Sequence, residues 1–379
     1  MNPQVQLISE SDNILKFTLS NVNVSLANAV RRTILSDIPL IVFKTTPYEE
    51  NKATIFTNTT RLNNEIIKQR LSCIPIHIKD AENFPYKNYI VEVNVENITD
   101  TTMFVTTEHF KIKDINSNNI LDEAKTKEIF PPNDYTGYFI DFVRLRPKVM
   151  EEMPGAEKIP GEKIHLTCEF SVATAKEDGC FNAATTCSYG FTVDTVARDT
   201  VLQKKRQGWK DEGKKEEEID FETKNWLLLD GMRIYKKDSF DFEIQSVGIH
   251  TNYELLNKSC DILLQRLDNL DTLIEQDKVE ITNSLNTLSN SFDIILENDD
   301  YTIGKIIEYF LYSKFYETDI LTFCGFKKMH PHDTDSIIRV AYKEAVEKST
   351  VKGHLKECVE SGKQVYNKLK KELLKVVKS

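Results

Sequence analysis

Leu15, Phe17 and Leu19 alternate with polar residues, a period of two that predicts a half-buried strand. Ser25 then precedes Leu26, Ala29, Val30, Thr33 and Ile34, spaced as one face of a helix whose only polar member is Thr33. Pro39 ends that helix, and residues 40–43 follow as a strand. Adding 277 to these numbers gives a second copy without a gap. Phe292, Ile294 and Leu296 fall on the strand, Thr302 on the cap, and Ile303, Ile306, Ile307, Phe310 and Leu311 on the helix stripe. Residues 321–326 take the part of the strand after the helix.

Each copy then gains a strand and a long amphipathic helix. In the first, Phe240, Phe242 and Ile244 share one face of a strand over 240–247, and Leu256, Leu263, Leu267, Leu270 and Ile274 stripe a helix over 253–274. In the second, the strand is 336–341 and the helix runs from about 351 to 377. Two copies of strand, helix, strand, strand, helix predict an α+β fold with a pseudo-two-fold pair inside one chain. The competing reading is a chance likeness between two ordinary amphipathic helices. Residues 44–235 interrupt the first copy with strand signals of their own at 89–95, 138–143, 163–172 and 189–193, and are expected to form a strand-rich insertion domain. The expected organisation is therefore 1–43 with 236–275 as the first unit, 44–235 as the insertion, 276–290 as a linker and 291–379 as the second unit.

Composition narrows the function. With 49 Lys and Arg against 59 Asp and Glu in 379 residues, the formal charge of -10 speaks against a general nucleic-acid binder, which needs accumulated positive charge. The basic run Lys204, Lys205, Arg206, Lys210, Lys214 and Lys215 leads straight into Glu216, Glu217, Glu218 and Asp220, and reads as a solvated loop of mixed charge. No stretch of about 18 apolar residues and no secretory leader pattern occurs, so a soluble intracellular protein is expected. The seven cysteines are scattered without a C-x-x-C pair, which argues for free thiols.

Catalytic signatures are missing. There is no phosphate-cradling glycine loop, no H-E-x-x-H, no G-x-S-x-G and no Asp-rich triplet for two magnesium ions. His330, Pro331, His332 and Asp333 place two imidazoles and a carboxylate together, either as the seed of a zinc site or as a plain His-Pro turn between strands. His165, Cys168, Cys180 and Cys187 are a second candidate, with a spacing that fits no familiar zinc pattern. Arg31 and Arg32, with Asn28 and Leu35, lie opposite the apolar stripe of the first helix. They offer either two solvated guanidinium groups or a rigid double donor for a partner's carboxylates and carbonyls.

The segment VNVSLANAVRRTILSDIP at 22–39 resembles the helix signature of the alpha-like subunits of multi-subunit RNA polymerases. TNTTRLNNEIIKQRLSCIPIHI at 57–78 is similar to that family's short helix followed by an R-L-x-x-I-P-[IL] strand. RLRP at 144–147 and KKDSFDFEIQSVG at 236–248 extend the likeness. FDIILENDDYTIGKIIEYFL and CGFKKMHPHDTDSIIRV resemble the small alpha-like partner, the eukaryotic eleventh or archaeal L subunit, with its D-x-T-[IL]-G and G-[YF]-x-x-x-H-P turns. The resemblance makes His330-Pro331 that family turn. It implies a fusion of third-largest (archaeal D-like) and eleventh-like subunits, as in polymerases of nucleocytoplasmic large DNA viruses, with a virion or host cytoplasm as the place.

By this resemblance the chain is a non-catalytic platform for a DNA-directed RNA polymerase. Leu26, Val30 and Ile34 would meet Ile303, Ile307 and Phe310 in an internal seam. Asn28, Arg31, Arg32 and Leu35 would face a partner. The partners implied are the largest and second-largest subunits and small zinc-bearing subunits, with DNA and RNA reached only through the complex and no membrane. No cofactor is implied for this chain; magnesium and zinc belong to the partners. The zinc loop and iron-sulfur cluster of some relatives have no matching cysteines here, and 171–191 is more acidic than the family's basic segment. Two other classes stay open: a stand-alone nucleic-acid-binding transcription regulator, and a metal-dependent hydrolase at His330, His332 and Asp333.

Overall fold

The computed structural model describes residues 1–11, 13–148, 160–285 and 288–378. Two compact units are present: Met1–Ile34 with Thr186–Gln245 and Asn252–Ser379, and Leu35–Thr185 with Ser246–Thr251. The chain opens with β1 (Gln4–Ser11), β2 (Ile14–Ser20) and α1 (Val24–Ser36). The second unit then follows as β3 (Leu40–Val42), β4 (Ala53–Asn58), α2 (Asn64–Ser72), β5 (Tyr89–Glu96), β6 (Met103–Thr106), β7 (Lys111–Asp114), α3 (Glu123–Ile129), β8 (Asp141–Leu145), β9 (Lys163–Glu169) and β10 (Ser171–Ala173). After it come β11 (Ala184–Val193), α4 (Thr195–Asp211), α5 (Glu216–Leu228), β12 (Tyr235–Ser246) and α6 (Asn252–Glu275). The last stretch is β13 (Ile281–Asn283), β14 (Ser291–Leu296), α7 (Tyr301–Leu311), β15 (Leu321–Lys327), β16 (Ser336–Tyr342) and α8 (Lys348–Lys378).

Within the first unit the alternation of β2 does what its period requires. Leu15, Phe17 and Leu19 are buried and stand opposite Ile244, Phe242 and Phe240 of β12, with the Phe17 and Phe242 rings stacked at 5.1 Å. β14 repeats this against β16, pairing Phe292 with Val340 and Ile294 with Ile338. The two four-stranded sheets run β1-β2-β12-β11 and β13-β14-β16-β15.

Four expectations change. The strand after α1 leaves the sheet: β3 pairs with β10 in a two-stranded ribbon, and β11 takes the place beside β12 that β15 holds beside β16. Tyr189 of β11 fixes that place by packing at 5.2 Å on both Phe240 and Phe242. The helix caps lie two residues before Ser25 and Thr302. Asn23 accepts the Ser25 N–H and Asp300 accepts the Thr302 N–H, each at 2.9 Å, and these two caps are themselves 277 apart. The charged run at 204–220 is a helical hairpin, α4 and α5, because Arg206 is held by Glu216 and Asp220 at 3.2 Å and Lys214 by Glu222 at 3.2 Å. Residues 74–78 join no sheet; Ile74 and Ile76 are instead buried in the second unit's core after α2.

The units also divide the chain differently from the expected domains. β11, α4 and α5 fall with the first unit, and β13 lies inside the stretch 276–290 and pairs with β14. Residues 286–287 of that stretch and 149–159 of the expected insertion lie outside the described residues. Besides the β3-β10 ribbon, the second unit holds a sheet β4-β9-β5-β7 and a ribbon β6-β8. Phe110 sits at its centre, edge-on to Phe130 and Phe142 at 5.4 Å.

Candidate assembly seam

The six expected seam residues, Leu26, Val30, Ile34, Ile303, Ile307 and Phe310, are all buried in the first unit. The halves of the repeat meet through α6 and α8 and at the start of α7. Gly362 of α8 makes the approach possible: a Cβ there would lie 3.1 Å from Leu267 of α6 and 3.4 Å from Ile306 of α7. Four residues further along α8, the buried Tyr366 donates its hydroxyl to the Leu26 carbonyl of α1 at 3.3 Å.

At the N-terminus of α7 the contact becomes ionic. Arg32 of α1 donates Nη2 to Asp300 Oδ2 at 2.8 Å and Nε to Thr302 Oγ1 at 2.9 Å. Arg266 of α6 reaches Asp299 at 2.5 Å and Asp300 at 3.8 Å. Burial opposes ionisation of Asp300, but the Thr302 N–H and hydroxyl, then Arg32 and Arg266, outweigh it and hold the carboxyl down at about 2. The helix terminus favours the anion as well.

Arg31, Asn28 and Leu35 are half-buried. Arg31 donates Nε to Asn28 Oδ1 at 2.8 Å along the same helix face. Arg32, expected beside Arg31 on the outward side, turns to the chain's own second half. Sequence reasoning missed Arg266, Asp299, Asp300 and Tyr366. Asp300 was within reach, since subtracting 277 from it gives the other cap, Asn23.

The two motifs of the second copy also meet. Gly304 of the D-x-T-[IL]-G turn lies beneath Phe326 of the G-[YF]-x-x-x-H-P turn, where a Cβ would come within 2.0 Å of the ring. Glu308 accepts the Phe326 N–H at 2.9 Å and joins α7 to β15. His330 lies between β15 and β16, and its Nδ1 accepts the His332 N–H at 3.1 Å. Among the described residues, no three His, Cys, Asp or Glu side chains converge on a metal-sized point. Cys168 and Cys187 are buried strand residues, and His165 faces Glu92 at 3.1 Å. No described helix is long and apolar enough to cross a membrane.

Residues 16–267, more than half of the chain, match the RNA polymerase Rpb3/Rpb11 dimerisation domain, and the chain belongs to that family. A conjugation stage-specific protein of Tetrahymena thermophila is 24% identical over 310 residues, covering 69% of this chain and 91% of that protein. The DNA-directed RNA polymerases I and III subunit rpac1 of Dictyostelium discoideum is 28% identical over 191 residues, 50% of this chain and 52% of its own length. The DNA-directed RNA polymerase subunit Rpo3 of Archaeoglobus fulgidus is 20% identical over 298 residues, 73% of this chain and 99% of its own. The chain thus spans about half of the Dictyostelium relative and nearly all of the archaeal one. Residues 268–379 lie outside the family match.

Proposed function

We propose that this chain is a non-catalytic assembly subunit of a multi-subunit DNA-directed RNA polymerase, with a third-subunit-like half and an eleventh-subunit-like half fused and paired within one molecule. The observation that carries the reading is the tie between α1 and α7, Arg32 to Asp300 at 2.8 Å, in a chain whose family is a polymerase dimerisation domain. Tethering raises the effective concentration of one half near the other and fixes their ratio at one to one. Arg31, oriented by Asn28, and Leu35 form the surface offered to the second-largest subunit, with Arg32 shared between that face and the seam. The largest subunit lies against the second half, and small zinc-bearing subunits meet the insertion. Magnesium and zinc are held by those partners, and DNA and RNA are reached through the complex. The fused order supports a large DNA virus polymerase, placed in the virion or the host cytoplasm.

A gentle affinity purification of the tagged chain from its native source tests this. Two very large chains in equal amount to the bait, with promoter-independent RNA synthesis by the eluate, are expected. A bait that elutes alone and inactive would overturn it.

A further inference from the structure

Where the long helices α6 and α8 face each other, each carries a row of charges of one sign, at one spacing. On α6 the acids Asp261, Asp268 and Glu275 recur every seven residues; on α8 the bases Lys356, Lys363 and Lys370 do the same. The structure joins them in antiparallel order: Lys356 with Glu275, Lys363 with Asp268 at 2.7 Å, and Lys370 with Asp261. Lys363 also reaches Asp271 at 2.7 Å, and Lys352 reaches Asp277 just past the end of α6. A seven-residue step keeps each rung on the same edge of its helix, so the ladder runs the length of the contact. The neighbouring tie is equally one-sided. Moving Arg32 and Asp300 by 277 in either direction gives Tyr309 and Asn23, and neither bears a charge at neutral pH.

We propose that this ladder is the specificity device of the seam: it permits α6 to pair with α8 and forbids α6 with α6 or α8 with α8 from a second copy. The inference rests on the intramolecular pairing proposed above. In a like-with-like pairing, Asp261, Asp268 and Glu275 would face carboxylates, and Lys356, Lys363 and Lys370 would face ammonium groups. The acid of every rung is exposed to solvent, although Lys363 is largely covered, so each attractive pair stabilises modestly. Repulsion in the wrong pairing does the discriminating. The ladder therefore selects α6 against α8, and the tether between the halves makes that partner this chain's own.

Two full-length variants test this. One carries Lys356→Glu, Lys363→Glu and Lys370→Glu; the other carries Asp261→Lys, Asp268→Lys and Glu275→Lys. Each alone has a like-charged seam, and its unfolding equilibrium constant should shift by about tenfold or more toward the unfolded state, less at 1 M salt. Mixed at equal concentration, the two should form a one-to-one complex by sedimentation, since the α8 of one now complements the α6 of the other. The wild-type chain should stay monomeric, and the six-fold variant should recover the wild-type midpoint. Triple variants that melt as wild type and stay separate when mixed would overturn the proposal. The pairing itself is checked apart from this by Ile307→Asp: loss of both halves in one transition upholds pairing, whereas an undisturbed transition of the first half would overturn it together with the ladder.

Discussion

Single residues of this chain are constrained mostly by how closely something else approaches them. Gly304 has no room for a methyl group, because a Cβ would sit 2.0 Å from the Phe326 ring. Gly304→Ala is expected to destabilise by about 1–3 kcal/mol, the usual range for overpacking, and to lower the urea midpoint. Phe326→Leu in the same chain should return part of the loss. Asp300 gives a pH signature whose sign follows from its depressed carboxyl, held at about 2. Its stabilising contribution is full above the unfolded carboxylate range near 4 and is lost as the pH falls toward 2. Asp300→Asn keeps a capping side chain and removes the charge. The wild-type advantage over that variant should be about 2 kcal/mol at pH 6, shrink to a few tenths of a kcal/mol near pH 2 and vanish below it, read by denaturation at each pH. A constant difference across that range would refute the role of the charge. In the sequence, a glycine after a helix start and an acid before one were visible; that Phe326 and Arg32 come to lie against them was not, because both contacts are made across elements.

At the scale of elements, hydrophobic period decided what formed. The stripes on α1, α6 and α7 and the alternation on β2, β12 and β14 were legible because each element buries one face. The hairpin of α4 and α5 was not, since no residue of α4 is buried and its helix is held by ion pairs and by the indole of Trp226 on α5. Lys205 lies 6.0 Å from the centre of that ring, and Gly231 packs against it. Trp226→Ala should therefore cost about 3–5 kcal/mol locally and speed amide exchange along α4 and α5, while the sheets stay protected. Ile307→Asp belongs to the opposite case. Its side chain is fully buried in α7, so an unpaired carboxylate there should abolish cooperative folding of the first unit, seen as loss of the thermal transition.

For the whole molecule, the question is which surface remains for partners once the halves are joined. Arg32 is engaged with Asp300 inside the chain, so the two neighbouring arginines separate in role. Arg31→Glu is expected to leave the melting temperature within about 2 °C of wild type and to abolish recovery of the large polymerase subunits in affinity purification. Arg32→Glu should lower both, because it puts a carboxylate against Asp300 and Asp299. Equal melting of the two variants would contradict this division.

The amino-acid sequence by itself determined the repeat at an offset of 277, the apolar stripes and the absence of a catalytic signature, because these follow from periodicity and residue type along one dimension. The same register even held for the helix caps, two residues earlier than the serine and threonine suggested. What only the tertiary structure decided is who faces whom. β11 rather than β3 completes the first sheet, Arg32 meets Asp300, and three lysines of α8 meet three acids of α6. Those choices depend on which backbones approach within hydrogen-bonding distance, and no local pattern encodes a contact between residues more than two hundred and fifty positions apart, as Arg32 and Asp300 are.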